Sequence, residues 1–153
     1  MTGLIDVYSR YVVCRALTNM KISTILSNLK EMCEELSKKA GSLRTAEGYK
    51  ETHYPENMNT DQQFDKPALT NFMTEKGTHF WFSQRDEPHK NAIIERFWRT
   101  LALLLQRMRE ATKNFDWTKA LPEAIENYNT TYHTSIKATP TEIIKVKRKI
   151  QSR

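Results

Sequence analysis

The hydrophobic positions near the start of the chain change from the spacing of strands to the spacing of a helix. Leu4 to Val7 and Tyr11 to Leu17 are apolar, β-branched and aromatic runs separated by a polar turn, which predicts a β-hairpin. Apolar residues then recur at three- and four-residue intervals from Ile22 to Leu36, and Gly41 follows shortly after. This pattern predicts an amphipathic helix that ends before the glycine.

The middle of the chain alternates short strand-like runs with a helix. Asn57 to Thr60 is a polar candidate for a short strand, although residue propensities alone would not indicate one. Asp65 is expected to cap a short helix that has Pro67 in its first turn and Gly77 at its end. His79 to Phe82 follows as a compact aromatic strand.

The remainder of the chain has helical spacing. A long helix is predicted from about Asn91 to Ala111, and a second helical region begins at Trp117. Thr139 to Glu142 forms a capping box that begins a last helix, and a basic run follows from Lys145 to Lys149. Strands that begin as a hairpin and then alternate with helices predict an α/β fold, a mixed sheet with helices packed on it.

The balance of charge narrows the class of partner. The net charge of +6 and the isoelectric point near 9.3 favour a polyanion, nucleic acid first and an acidic membrane surface second. No apolar run approaches the length of a membrane span, and the first residues lack the apolar core of a signal peptide. Cys14 and Cys33 have no CxxC spacing, so two unpaired thiols in a reducing compartment are expected.

Two acidic residues stand out by their context. Asp61 directly follows the predicted strand at 57–60, and Glu95 lies in the first turns of the long helix. Hard divalent cations bind carboxylate oxygens, and phosphoryl-transfer sites gather acids from separate elements onto one edge of a sheet. The spacing alone leaves a second interpretation open, because an acid in either position is often a cap or a helix-dipole partner.

Four segments, considered as a set, resemble the catalytic core of retroviral-type integrases. The two acids lie in NTDQ at 59–62 and in NAIIERFWRTL at 91–101, which resemble the segments around the second and third acids of that family. IDVYSRY at 5–11 is similar to the family's second strand, and YNTTYHTSI at 128–136 resembles a segment near its end. The segments are more similar to integrases of retrotransposons and of large self-synthesising DNA transposons than to those of retroviruses.

The resemblance implies an RNase H-like fold and a three-acid D, D, E site for magnesium or manganese. Asp61 matches the second acid and Glu95 the third. Arg99 lies one turn after Glu95 on the same helix face, and the resemblance implies that it contacts a DNA phosphate. Asn91 lies one turn before Glu95 on that face and is for this reason also expected to contact DNA. For Arg99, an i,i+4 ion pair with Glu95 is the alternative interpretation.

The sequence departs from the family in two places. Between Asp61 and Glu95 lie 33 residues where the family commonly has 35, and the glycine of the usual turn is absent from DQQFD at 61–65. The family's first acid lies on a strand upstream of the one near Leu4, and the sequence given starts after that point. Asp6 aligns with a non-catalytic position. The resemblance therefore implies an N-terminally truncated core with two of three acids, inactive in this form.

The absent strand is central in the family's sheet. It would lie between the strand near Leu4 and the strand near Asn57. Three expectations stay open: the two flanking strands pair directly, another chain fills the space, or the chain is poorly stable and prone to aggregate.

Other chemistries find less support. Zinc would need paired cysteine and histidine at short spacing, but the four histidines are scattered, and His133 is expected to be packed and hydrogen-bonded. Five aromatic residues are expected in the core rather than in a base-stacking platform: Phe80, Trp81, Phe82, Phe97 and Trp98.

The chain is thus expected to contain an integrase core at 1–141, then a final helix and basic tail at 142–153. The implied function is metal-dependent 3′-end processing and strand transfer that inserts element DNA into target DNA. The implied setting is a homo-oligomer on DNA in the nucleus, without a membrane or a small-molecule cofactor. Two alternatives stay open: a non-catalytic nucleic-acid-binding or assembly remnant of an integrase, and a related nuclease that hydrolyses without joining.

Overall fold

The computed structural model describes residues 1–40, 54–83 and 92–150, and of residues 146–150 it describes the backbone alone. Each predicted strand and helix within these ranges is found, with small shifts at the ends. The strands are β1 (Thr2–Ile5), β2 (Val12–Arg15), β3 (Asn57–Asp61) and β4 (His79–Ser83). The helices are α1 (Ile22–Ala40), α2 (Pro67–Glu75), α3 (Ala92–Ala111), α4 (Trp117–Thr130) and α5 (Pro140–Ile150), with a short 3-10 helix at Gln62–Phe64. The sequence also predicts polar loops at 42–55 and 84–90, and most of the first and all of the second lie outside the described residues.

A tight turn joins the first two strands. β1 and β2 pair antiparallel, with Ile5 opposite Val12. Asp6 Oδ2 accepts hydrogen bonds from the Ser9 backbone N–H at 2.9 Å and from the Ser9 hydroxyl at 2.6 Å, and Arg10 takes a left-handed φ of 61°. The carboxylate of Asp6 therefore stabilises the turn of the hairpin.

The predicted start of α2 is wrong in one respect. Lys66 is the N-cap residue and makes no capping hydrogen bond, whereas Asp65 was expected in that role. Asp65 instead closes the preceding 3-10 turn, where its backbone N–H donates to the Gln62 carbonyl at 2.9 Å. Pro67 at the first helical position and Gly77 beyond the end, with a φ of 79°, agree with the prediction.

The predicted capping box of α5 is confirmed. The Thr139 hydroxyl accepts from the Glu142 backbone N–H at 3.2 Å, and Glu142 Oε2 accepts from the Thr139 backbone N–H at 2.9 Å. Two backbone donors that the helix itself cannot satisfy are paired in this way.

The four strands form two separate two-stranded sheets. β3 and β4 pair in parallel, with α2 in the connection between them, and no strand pairing joins β1 to β3 within the described residues. The expectation that these two strands pair directly is therefore wrong. Both are held by the same helices instead, because Leu4 and Met58 pack against one cluster of buried residues from α1 and α2: Leu29, Cys33, Leu69 and Met73.

Alternate residues of the hairpin face two layers of helices. Val12 packs with Phe97 of α3 and other core residues of α3 and α4. Val13, on the opposite face, packs with Met32 of α1 and Ile144 of α5. Side chains alternate between the faces of a strand, so the hairpin is covered on both sides. The described residues form a mixed α/β structure with small sheets and five α-helices.

Helices cover one face of the β3–β4 sheet, and the other face is exposed. Met58 and Phe80 pack towards the α1–α2 cluster. On the opposite side, exposed residues alternate along both strands, and we call this side the open face: Asn57, Asn59, Asp61, His79 and Trp81.

One expectation about aromatic residues fails on the open face. Phe97 is 1% exposed and Trp98 packs beside it, as expected of core residues. Trp81 is 41% exposed, so its expected place in the core is wrong. The reason is the alternation of β4, which turns Trp81 away from the helices that cover Phe80.

Candidate active site and nucleic-acid interface

Asp61 ends β3 with an exposed, oriented carboxylate. It lies opposite Ser83, the last residue of the parallel partner strand. Asp61 Oδ1 accepts a hydrogen bond from the Gln62 backbone N–H at 2.7 Å, which caps the 3-10 turn. The carboxyl ends of parallel strands are where α/β folds commonly place ligand-binding groups. One carboxylate oxygen is thus held by the backbone while the residue remains exposed to solvent.

Glu95 lies in the first turn of α3 and is exposed. Its neighbours Ile94 and Phe97 pack into the core between α3, α4 and the β1–β2 hairpin. Because this packing fixes the rotation of the helix, Glu95 is presented outwards from its N-terminal turn. A carboxylate in this position also interacts favourably with the helix dipole.

Asp61 and Glu95 belong to different parts of the fold. Asp61 is on the β3–β4 sheet, whereas Glu95 is on the helix that packs over the β1–β2 hairpin. Among the described residues no group of three histidine, cysteine, aspartate or glutamate side chains could hold a metal ion. Magnesium is commonly bound by one or two carboxylates together with substrate phosphates, so this pair fits such an ion in donor chemistry. Their joint action stays a prediction.

Of the two residues expected to contact DNA, the structure describes only Arg99. Arg99 is exposed, and in the described part of the chain no ion pair joins it to Glu95. The alternative i,i+4 pair is therefore not found, and the guanidinium is presented to solvent. Asn91 lies outside the described residues.

His133 and the two cysteines are placed as structural residues. His133 Nε2 lies 3.0 Å from the Tyr128 carbonyl oxygen, and its ring meets the Tyr128 ring edge-on at 4.6 Å, which confirms the expected packed role. Cys14 and Cys33 are free thiols. Burial raises the pKa of Cys14 to about 11 and that of Cys33 to about 12, so both stay protonated at neutral pH.

Sequence reasoning assigned Trp81 to the core and therefore left it out of the candidate site. Its position on the open face places it on the same side of the sheet as Asp61. The available signal was the alternation of side chains from His79 to Ser83. Phe80 and Phe82 alone can form the one apolar face that packs on the helices, which leaves Trp81 on the opposite face. In the described part of the chain, no helix combines the length and the apolar character needed to cross a bilayer.

Comparison with known proteins finds a likeness in fold. No family model and no curated protein sequence matches the chain. The structure matches a chain of the simian T-cell lymphotropic virus intasome in complex with PP2A regulatory subunit B56 gamma, with a TM-score of 0.74 and 17% sequence identity. The match covers 92% of this chain and 46% of that chain, so this chain spans less than half of the length of the one it matches. The likeness shows that this chain shares the fold of part of that chain, and nothing beyond the fold.

Proposed function

We propose that the chain is the catalytic core of a DNA integrase, an RNase H-like domain for 3′-end processing and strand transfer of element DNA. The observation that carries this proposal is the fold likeness, at a TM-score of 0.74, to a chain of a retroviral intasome. The motif resemblance supports it independently, because the two acids that it selects both lie exposed at the ends of structural elements. Assembly as a homo-oligomer in the nucleus belongs to the proposal through the resemblance alone.

Asp61 and Glu95 would hold a magnesium or manganese ion together with a DNA phosphate. The bound ion would stabilise the negative charge that develops on the phosphoryl group. The hydrogen bond from Gln62 orients the Asp61 carboxylate before DNA arrives. Arg99, one helical turn beyond Glu95, would neutralise a neighbouring phosphate. A water molecule or a DNA 3′-hydroxyl would attack the phosphodiester in line, so that the new P–O bond forms as the bond to the departing DNA oxygen breaks, without a covalent protein intermediate.

The proposal predicts that divalent ions tighten DNA binding through both acids. Binding of a fluorescent duplex to the chain would be measured by anisotropy, with manganese and with EDTA. Asp61→Asn and Glu95→Gln should each abolish the tightening, whereas Asp65→Asn, which removes an exposed carboxylate near Asp61, should retain it. DNA binding that is indifferent to manganese, or to both substitutions, would contradict the proposal.

A non-catalytic DNA-binding or assembly role is the second candidate function. The observation that favours it is that the described residues contain no three-ligand group for a metal. This role predicts that DNA binds equally well in EDTA and that Asp61→Asn changes nothing. The products of the reaction would separate an integrase from a nuclease, since only an integrase joins the cut end to a second duplex.

A further inference from the structure

Trp81 is an exposed aromatic residue on the sheet that carries Asp61. Its indole is 41% exposed. The His79 ring meets it edge-on, with the ring centroids 4.7 Å apart and an angle of 77° between the planes. Single exposed apolar residues are common on protein surfaces, so the neighbours of Trp81 decide what the position can do.

Strand register places Trp81 beside Asp61. Asn59 lies opposite Trp81, and Asp61 lies opposite Ser83, so Asp61 and Trp81 are diagonal neighbours on the open face. With a rise of ~3.3 Å per residue and a strand spacing of ~4.8 Å, their Cα atoms are about 8 Å apart. This separation is comparable with the reach from a nucleobase to its own phosphate group.

The rest of the open face offers hydrogen-bonding groups rather than apolar area. Asn57 and Asn59 are both exposed, and Asn59 Oδ1 accepts a hydrogen bond from the Ser83 hydroxyl at 2.7 Å, which orients the Asn59 amide. Amide groups can donate to and accept from the edge of a base. Trp81 is the one large apolar side chain among the described residues of this face, which is little for a protein interface.

An aromatic plane beside side-chain amides, in a chain of net charge +6, matches the way in which proteins bind unpaired nucleotides. We propose that the open face is a subsite for an unpaired nucleotide next to the phosphate at Asp61, with the Trp81 indole as its stacking platform. This inference rests on the proposed function, since it takes DNA as the ligand of Asp61, and it names the substrate class as DNA with unpaired bases near the reacting phosphate.

The test compares two DNA ligands in EDTA, so that its result does not depend on a metal site. One duplex is blunt, and the other carries a short unpaired end. The wild-type chain should bind the second duplex more tightly. Trp81→Leu should weaken binding of the unpaired end by about 5- to 150-fold, which corresponds to stacking energies of ~1–3 kcal/mol per base, and should leave the blunt duplex unaffected.

Two further variants control for the loss of an aromatic residue. Trp81→Phe keeps an aromatic plane and should retain most of the binding. Trp117→Leu removes a residue that is also 41% exposed, but on α4, and should behave as the wild type.

Each contrary result has a distinct meaning. An unchanged affinity of Trp81→Leu for the unpaired end overturns the subsite, and so does an equal loss on both duplexes. A change in oligomeric state without a change in DNA binding would show that the open face is a protein interface, which also overturns it. A wild-type chain that binds both duplexes equally overturns this inference alone, whereas a chain that binds neither duplex, in EDTA or with manganese, overturns the proposed function with it.

Discussion

Asn129 and Val12 are joined by two hydrogen bonds that reproduce the pairing of a neighbouring strand. Asn129 Oδ1 accepts from the Val12 backbone N–H at 2.9 Å, and Asn129 Nδ2 donates to the Val12 carbonyl at 2.9 Å. Both residues are 1% exposed. Because buried backbone groups need partners, the side-chain amide of α4 completes the edge of β2 where water does not reach.

Asn129→Ala should destabilise the chain strongly, because it leaves the N–H and the carbonyl of Val12 buried without partners. Each unsatisfied group costs about 1–3 kcal/mol, so we expect the free energy of unfolding to fall by about 2–6 kcal/mol. Asn127→Ala, an exposed position in the same helix, should change it by less than about 0.5 kcal/mol. Urea unfolding followed by circular dichroism measures both. Equal stabilities of the two variants would show that the pairing contributes nothing.

Arg99→Ala should weaken binding to all duplex sequences alike, because a phosphate contact carries no base information. The slope of log affinity against log salt should flatten by about one unit, the amount expected for one phosphate contact. Lys119→Ala is the control, since Lys119 is an exposed cation on α4, where its only ion pair among the described residues is a 4.0 Å contact with Asp116. Anisotropy titrations over a range of salt give both slopes. A slope that stays unchanged in Arg99→Ala would remove Arg99 from the DNA interface.

The buried thiol of Cys33 should make the fold sensitive to high pH. Burial raises its pKa to about 12, whereas a cysteine in an unfolded chain ionises near pH ~8.5. Above the unfolded value the unfolded state releases a proton that the folded state retains. The stabilising contribution is therefore complete below about pH 8.5 and is lost as the pH rises towards the folded pKa.

Urea midpoints measured across this alkaline range test the effect of Cys33. We expect the midpoint of the wild-type chain to fall more steeply with pH than that of Cys33→Ala. The variant also has a lower midpoint at neutral pH because it loses buried contacts, so the comparison concerns the slopes. Parallel slopes would mean that the thiol does not contribute to the pH dependence.

The space between the two sheets should accept an added strand. Within the described residues β1 pairs with β2 alone and β3 with β4 alone, while both sheets pack on the α1–α2 cluster. A chain extended at its N-terminus by a designed apolar strand should have a higher urea midpoint and slower amide exchange along β1 and β3, because their outer edges gain partners. An extension interrupted by proline is the control. If the two extensions behave alike, the space does not bind a strand.

The same extension tests what the motif resemblance implies for activity. An aspartate placed at the centre of the added strand should produce magnesium-dependent strand transfer, whereas asparagine at that position should not. Joined DNA products on a gel give the result. Strand transfer by the unextended chain would contradict the expectation that two acids are insufficient, and Asp6 would then have to be reconsidered.

Periodicity predicted the helices because each has one continuous apolar face, as in the run from Ile22 to Leu36. The strand at Asn57–Asp61 is polar at alternate positions because its sheet is covered on one side only, so propensity did not indicate it. The exposure of Trp81 was predictable only from the alternation of its strand, in which Phe80 and Phe82 form the apolar face while Trp81 lies between His79 and Ser83 on the other.

The role of Asn129 depended on a partner 117 residues away, which no local pattern contains. Asp61 and Glu95 were selected by resemblance. As the sequence predicted, Asp61 lies at the end of a strand and Glu95 lies in the first turn of a helix. What local pattern cannot supply is the arrangement of the two sheets, on which the distance between these acids depends.

The central claim is that Asp61 and Glu95 act on one ion, and a double-mutant cycle tests it most directly. Manganese binding in the presence of short duplex DNA would be measured by electron paramagnetic resonance for Asp61→Asn, Glu95→Gln and the double variant. The controls are Asp65→Asn and Glu123→Gln, the latter at an exposed carboxylate on α4. We predict that each single change removes most of the affinity and that the double change removes little more, a coupling of about 0.5–3 kcal/mol. Single variants that bind manganese as well as the controls, or losses that simply add, would contradict the claim.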